Sequence, residues 1–249
     1  MFSSTKLNEL LNKIDKQQKQ INEMRPLPPN MAKQLRQYYR VSFTYTSNAL
    51  EGNSLTETET KIVLEDGITI GGKPLNDHYE AAGHSDAYDY IYKLLKTKEI
   101  TEKNIKYLHK LFYNRVNKNC AGCYRRCEVI ITGSDQKLPK PEKISGLMSK
   151  FAGNIKNLEK ENHPVVYAAK LHKELVYIHP FTDGNGRVSR LLMNLALMQH
   201  NYLIAIIPPI LRSEYIQAIR RAEHDENDFI KLVAQCVKET QNDYLRMLS

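Results

Sequence analysis

The stretch His179-Pro180-Phe181-Thr182-Asp183-Gly184-Asn185-Gly186-Arg187-Val188-Ser189-Arg190 runs directly into the apolar segment Leu191-Leu192-Met193-Asn194-Leu195-Ala196-Leu197, and no other part of the chain narrows its structure so far. Gly184 and Gly186 flank Asn185, so the backbone can turn through positive φ there and aim several N–H groups at one point. A helix starting near Gly186 would add its unpaired amides and the positive end of its dipole, which makes an anion nest. Arg187 and Arg190 lie three apart, so on a helix they share a face and can clamp neighbouring phosphate oxygens. Asp183 suits such a site only with a cation between it and the anion, and a hard divalent ion, Mg²⁺ or Mn²⁺, shared with the phosphates resolves the conflict. His179 precedes a proline, which favours an extended or turn backbone. An imidazole with an ordinary pKa of about 6.5 can accept a hydroxyl proton near neutral pH. Each element alone is more often structural. Together they make a polyphosphate site with a base beside it, and no G-x-x-x-x-G-K-[ST] loop occurs to suggest the Walker alternative.

The rest of the chain reads as helical. Apolar residues recur at helical spacing over about 31–50, 56–65, 76–97, 101–117, 141–160, 163–178, 187–201, 212–223 and 225–246. Leu7, Leu11, Ile14 and Ile21 add a helical arm before Pro26-Leu27-Pro28-Pro29 breaks the chain. That arm either packs on the core or makes a homo-oligomer contact, and packing is the expectation. Strand signal is confined to short stretches near 67–72 and 127–132. The predicted architecture is all-α, with a short β-hairpin near 122–138, a helical arm at 1–30 and one larger domain over 31–249.

At 41% hydrophobic and 26% charged residues, the composition is that of an ordinary globular protein. The apolar runs fall short of the ~20 residues that cross a bilayer. Met1-Phe2-Ser3-Ser4-Thr5-Lys6 lacks a signal-peptide core, so a cytoplasmic location is expected. Cys120, Cys123 and Cys127 form a C-x₂-C-x₃-C cluster, but a metal site of this kind needs a fourth ligand, and only the distant Cys236 is left. They are read as reduced structural thiols. Residues 91–150 hold 14 Lys and Arg against 5 Asp and Glu, so the chain's whole positive excess lies there. An acidic partner surface would be steered to it. A basic nucleic-acid-binding regulator is the rival class, though no helix-turn-helix or zinc-finger pattern accompanies the charge.

Residues 179–190 resemble the signature of the Fic family, H-P-F-x-[DE]-G-N-[GK]-R-x-x-R, at every specified position. The resemblance implies transfer of AMP from ATP to a Ser, Thr or Tyr hydroxyl of a target protein, or of the enzyme itself. It would make His179 the general base and Asp183 the Mg²⁺ ligand. Asn185 with the amides of Gly184 and Gly186 would cradle the α-phosphate, and Arg187 and Arg190 would bind the β- and γ-phosphates. Glycine at 186, where the branch that phosphorylates its targets has lysine, favours nucleotidyl transfer. Ser47-Asn48-Ala49-Leu50-Glu51-Gly52 matches the family's inhibitory motif, [ST]-x-x-x-E-[GN], within a helix expected over about 40–52. By that resemblance Glu51 pairs with Arg190 and blocks the productive ATP pose. The hairpin near 122–138 would be the flap that registers the target by strand pairing. Smaller matches at Leu55 to Thr60, Gly72-Lys73-Pro74-Leu75 and Leu203 to Pro208 extend the resemblance. Tyr215 falls where relatives contact the adenine and ribose. Removal of AMP, with Glu51 orienting water, and transfer of another nucleotide are the enzymatic alternatives.

Overall fold

The apolar run after Arg190 forms a helix that is buried on every side, and the other helices wrap it. The structure is a computed structural model describing residues 4–97, 99–130 and 137–248. This central helix, α8, spans Asn185–Gln199 and follows α1 (Ser4–Glu23), α2 (Pro29–Ala49), α3 (Glu57–Glu65), α4 (Leu75–Leu94), α5 (Glu102–Tyr113), α6 (Pro141–Glu161) and α7 (Pro164–Ile178). A short 3-10 turn at Pro209–Leu211, then α9 (Arg212–Arg221) and α10 (Asn227–Leu248), complete it. In α8 every residue from Arg187 to Leu197 is buried, the pattern of a helix with no solvent face. It packs along α7 and against α4 and α5, while α10 lies on α7 and on α1.

Local signals explain where the helices begin. Pro29, Pro141 and Pro164 occupy first-turn positions, where a missing N–H costs nothing. Thr56 with Glu59 and Thr101 with Asn104 form reciprocal caps on α3 and α5. α4 and α5 approach closely at Gly83, where an added Cβ would overlap the Phe112 carbonyl oxygen. That contact brings α5 under the loop that precedes α8.

The N-terminal arm packs on its own chain. Leu11, Ile14 and Ile21 are buried, and Gln241 Nε2 on α10 donates to the Ile14 carbonyl at 3.2 Å and to Gln18 Oε1 at 3.0 Å. No strand occurs among the described residues. The signal at 67–72 corresponds to irregular chain ending in a turn, because the Ile70 N–H is satisfied by His78 Nε2 at 2.8 Å rather than by a neighbouring strand. Of the expected hairpin, residues 122–130 and 137–138 are irregular and residues 131–136 lie outside the described residues. No helix among the described residues is long and apolar enough to cross a membrane.

Candidate active site

α7 ends at His179, which takes the left-handed conformation at φ 48° and ψ 58°. A left-handed non-glycine residue is uncommon and persists only where its surroundings hold it. Arg125 supplies the hold. Its Nε donates to the His179 carbonyl at 2.8 Å, and its backbone N–H donates to the Pro180 carbonyl at 2.8 Å. The same guanidinium donates to the carbonyls of Cys127 at 3.1 Å and Pro139 at 2.5 Å, so one buried side chain ties both sides of residues 128–138 to the loop that begins at His179. The sequence reading assigned Arg125 no role.

His179 Nδ1 lies 3.3 Å from the Val176 carbonyl, so this nitrogen carries the proton and Nε2 keeps a free lone pair. Burial lowers the imidazole pKa below its usual 6.5, with Arg125 acting the same way against the opposing Val176 bond, Glu51 and Asp183. The ring is therefore neutral at neutral pH, the form a base requires.

The loop between His179 and α8 is shaped by its own side chains. Asn185 accepts from the Phe181 N–H at 2.9 Å and donates to the Phe181 carbonyl at 2.8 Å, closing the turn. Gly184, at φ 78°, caps α8, and a side chain there would strike the Phe112 ring. α8 thus starts two residues earlier than its apolar pattern, and its first amides, which have no acceptor inside the helix, face out of the turn. From below, His109 Nδ1 accepts from the Gly122 N–H at 2.8 Å, which leaves Nε2 to donate to the Asp183 carbonyl at 3.1 Å. Its ring stacks on Phe181 at 3.8 Å, and burial pushes its pKa down to about 4, fixing the neutral tautomer that both bonds need. His109 also escaped the sequence reading.

Arg187 is buried, with Nη1 2.7 Å from Glu80 Oε1, Nη2 3.3 Å from Asp183 Oδ1, and its guanidinium 4.5 Å from the centre of the Phe112 ring. Arg190 is more enclosed still, at 1% exposure. Its Nε donates to Ser47 Oγ at 3.0 Å, its Nη1 to the Tyr215 hydroxyl at 2.9 Å, and its Nη2 to the Ser47 carbonyl and to Glu51 Oε1, each at 2.7 Å. Partial burial works to raise the Glu51 pKa, but Arg190, with Arg187 and Arg212, holds it below the usual carboxylate value. Tyr215 is buried, and its hydroxyl sits between Arg190 and His172 Nε2 at 2.9 Å, so its polar end is spent on orienting Arg190.

One cluster therefore holds His179, Asp183, Asn185, Gly186, Arg187 and Arg190, with Ser47 and Glu51 brought to it from α2 and the turn beyond. Asp183 is the exposed carboxylate of the group, with a side chain 53% accessible at the mouth of the turn. No set of three or more acidic, His or Cys side chains able to hold a metal occurs among the described residues. A single open carboxylate fits a cation held mainly by phosphates and water. Cys120, Cys123, Cys127 and Cys236 are free thiols.

The sequence model of the Fic/DOC family matches residues 99–197. The protein adenylyltransferase Fic of Nematostella vectensis is 34% identical over 241 residues, covering 95% of this chain and 56% of its own. That of Drosophila grimshawi is 40% identical over 205 residues, covering 81% and 42%. The chain thus spans about half the length of the curated relatives it matches. Among solved structures, residues 134–508 of Fic-1 from C. elegans superpose with a TM-score of 0.85 at 26% identity, covering 96% of this chain and 71% of that one. A Fic domain-containing signaling protein from Bacteroides thetaiotaomicron gives 0.82 at 26% identity, covering 94% and 95%.

Proposed function

The chain belongs to the Fic/DOC family, and from that premise we propose that it is an autoinhibited protein adenylyltransferase, moving AMP from ATP to a Ser, Thr or Tyr hydroxyl of a target protein and of itself. The observation that carries the reading is His179 Nδ1 bonded to the Val176 carbonyl, which leaves Nε2 free to accept a proton, on the loop that runs into the N-terminus of α8. The triphosphate lies along the first turn of α8, with Arg187 and Arg190 as cationic partners for its outer phosphates. The target oxygen forms a bond to the α-phosphorus as the bond to pyrophosphate breaks, and its proton passes to His179 Nε2. Asp183 would hold Mg²⁺ or Mn²⁺, and the ion would supply positive charge to offset that developing on the leaving group.

With Arg190 occupied by Glu51, the cationic end of the site is already satisfied, and the resting protein is switched off. Residues 122–138 act as the flap on which the target segment docks, and the basic stretch over residues 91–150 favours an acidic target surface. Four thiols with no disulfide among them fit the reducing cytoplasm. His179→Ala tests the core of the proposal. Made in the active Glu51→Gly protein, it should abolish protein labelling from α-³²P-ATP while ATP binding survives within about threefold; labelling that persists would remove His179 as the base.

A further inference from the structure

Glu80, on α4, lies outside every motif identified above, yet its two carboxylate oxygens face the two halves of the site. Oε1 is 2.7 Å from Arg187 Nη1, and Oε2 accepts from Asn53 Nδ2 at 2.9 Å. Asn53 stands two residues past Glu51 and fixes the turn that carries it. Its N–H donates to the Asn48 carbonyl at 3.1 Å, its Oδ1 accepts from the Leu55 N–H at 3.1 Å, and Nδ2 also donates to the Asp77 carbonyl at 3.1 Å. Beside it, Asp77 Oδ2 accepts from the N–H and hydroxyl of Ser54, so the first turns of α4 grip this segment at several points.

We infer that Glu80 is a positioning residue that couples the phosphate-binding guanidinium of Arg187 to the inhibitory turn through Asn53. The inference rests on the function proposed above. The Glu80 and Arg187 side chains are 15% and 4% accessible, so their ion pair is poorly screened and its geometry well defined. Among the described residues, Arg187 has one other carboxylate within 4.0 Å, Asp183, and the proposed function assigns that group to the divalent cation. Glu80 therefore keeps Arg187 directed at the phosphates and leaves Asp183 available. Because the same carboxylate anchors Asn53, the clamp and the segment bearing Glu51 share one support. A movement of the turn that withdraws Glu51 must break or drag the Asn53 bond.

Three substitutions separate the two links. Asn53→Ala cuts only the bond to the turn. Glu80→Gln keeps an amide oxygen for Arg187 but presents a donor to the Asn53 donor. Glu80→Ala removes both. Each is made with Glu51 present and in the Glu51→Gly protein, with binding of the fluorescent analogue mant-ATP and labelling from α-³²P-ATP as readouts. With Glu51 present, Asn53→Ala should tighten mant-ATP binding and raise labelling by about threefold to tenfold; in the Glu51→Gly protein it should change neither by more than about twofold. In the Glu51→Gly protein, Glu80→Ala should weaken mant-ATP binding and raise KM for ATP about tenfold, with Glu80→Gln within about threefold of the parent. Unchanged mant-ATP affinity in Glu80→Ala, or an Asn53→Ala effect of equal size in both backgrounds, would overturn the coupling. Mant-ATP binding without labelling by the Glu51→Gly protein would refute the transferase function and leave the coupling measurable. No binding by that protein would overturn both.

Discussion

Arg190 Nη2 and Glu51 Oε1 lie 2.7 Å apart across 139 residues of sequence, and Arg190 is buried at 1% exposure. Its other bonds, to Ser47 and Tyr215, hold the guanidinium in place whether or not Glu51 is present. Glu51→Gly should therefore free a preorganised cation rather than collapse the site. Self-labelling from α-³²P-ATP should rise at least about tenfold, because a charge-assisted bond of this type is worth about 1.5–3 kcal/mol. Stability to urea should fall by no more than about 1–2 kcal/mol, since the Glu51 side chain is 35% accessible and solvent screens the pair. Equal labelling before and after the substitution would rule out the pairing as the inhibitory contact.

Acid should leave this inhibition intact over the ordinary pH range. The folded-state pKa of Glu51 is depressed below 4.5, so the pair's contribution is complete above that value and is lost only as pH falls through the lower folded value. His179 is depressed too, so the base is already neutral above about 6.5 and gains a proton only below it. In the Glu51→Gly protein, kcat/KM for labelling should be flat from about pH 6.5 to 8 and decline below that window. The Glu51-containing protein should stay inhibited throughout the same range. A labelling rate that climbs through pH 7 to 8 would contradict the assigned state of His179.

Gly186 offers a test that needs no nucleotide. A Cβ built there would overlap Glu51 Oε1 and approach Arg190 Nη1 to 3.2 Å. The obstacle is the end of a flexible side chain, so Gly186→Ala should be accommodated by displacing the Glu51 carboxylate. In the Glu51-containing protein the lost pair offsets the gain in helix propensity, and urea stability should fall slightly or stay level. In the Glu51→Gly protein the same substitution should stabilise by about 0.5–1 kcal/mol, the usual advantage of alanine over glycine in a helix. The difference between the two backgrounds is the diagnostic, and a double-mutant cycle measures it. Identical effects in both backgrounds would show that Glu51 is not where the structure puts it.

The helices were legible because their signals are local. Pro29, Pro141 and Pro164 at first-turn positions, the Thr56–Glu59 cap and the apolar run after Arg190 each act within a turn or two of where they are written. The tight turn into α8 was legible for the same reason, since residues 179–190 are contiguous. Glu51 opposite Arg190 was not readable from spacing; only the family resemblance pointed to it. Glu80, His109 and Arg125 were missed because their roles consist of bonds to groups 107, 74 and 54 positions away, or to bare carbonyls, which no local pattern encodes. The strand expected at 67–72 misled for a related reason. β-branched residues are common wherever chain is extended, and whether a strand pairs depends on a distant neighbour, here replaced by His78.

Arg125 is the most exacting of the residues the sequence did not disclose. It is 3% exposed and donates to three carbonyls, those of His179, Cys127 and Pro139. Arg125→Ala leaves those acceptors without their charged donor and should cost about 2–4 kcal/mol in urea stability. Its effect on catalysis should be selective. The turn at the start of α8 is closed by hydrogen bonds of Asn185 and His109 that do not involve Arg125, so mant-ATP affinity in the Glu51→Gly protein should stay within about threefold. His179, however, depends on Arg125 for its left-handed backbone, and a base displaced by about 1 Å loses on the order of a hundredfold in rate. Thus kcat for labelling should fall about a hundredfold while nucleotide affinity holds. Arg125→Lys should not restore it, because one ammonium cannot reach three carbonyls that a planar fork spans together. Full activity in the lysine variant would reduce Arg125 to a generic positive charge and move the control of His179 elsewhere in the loop.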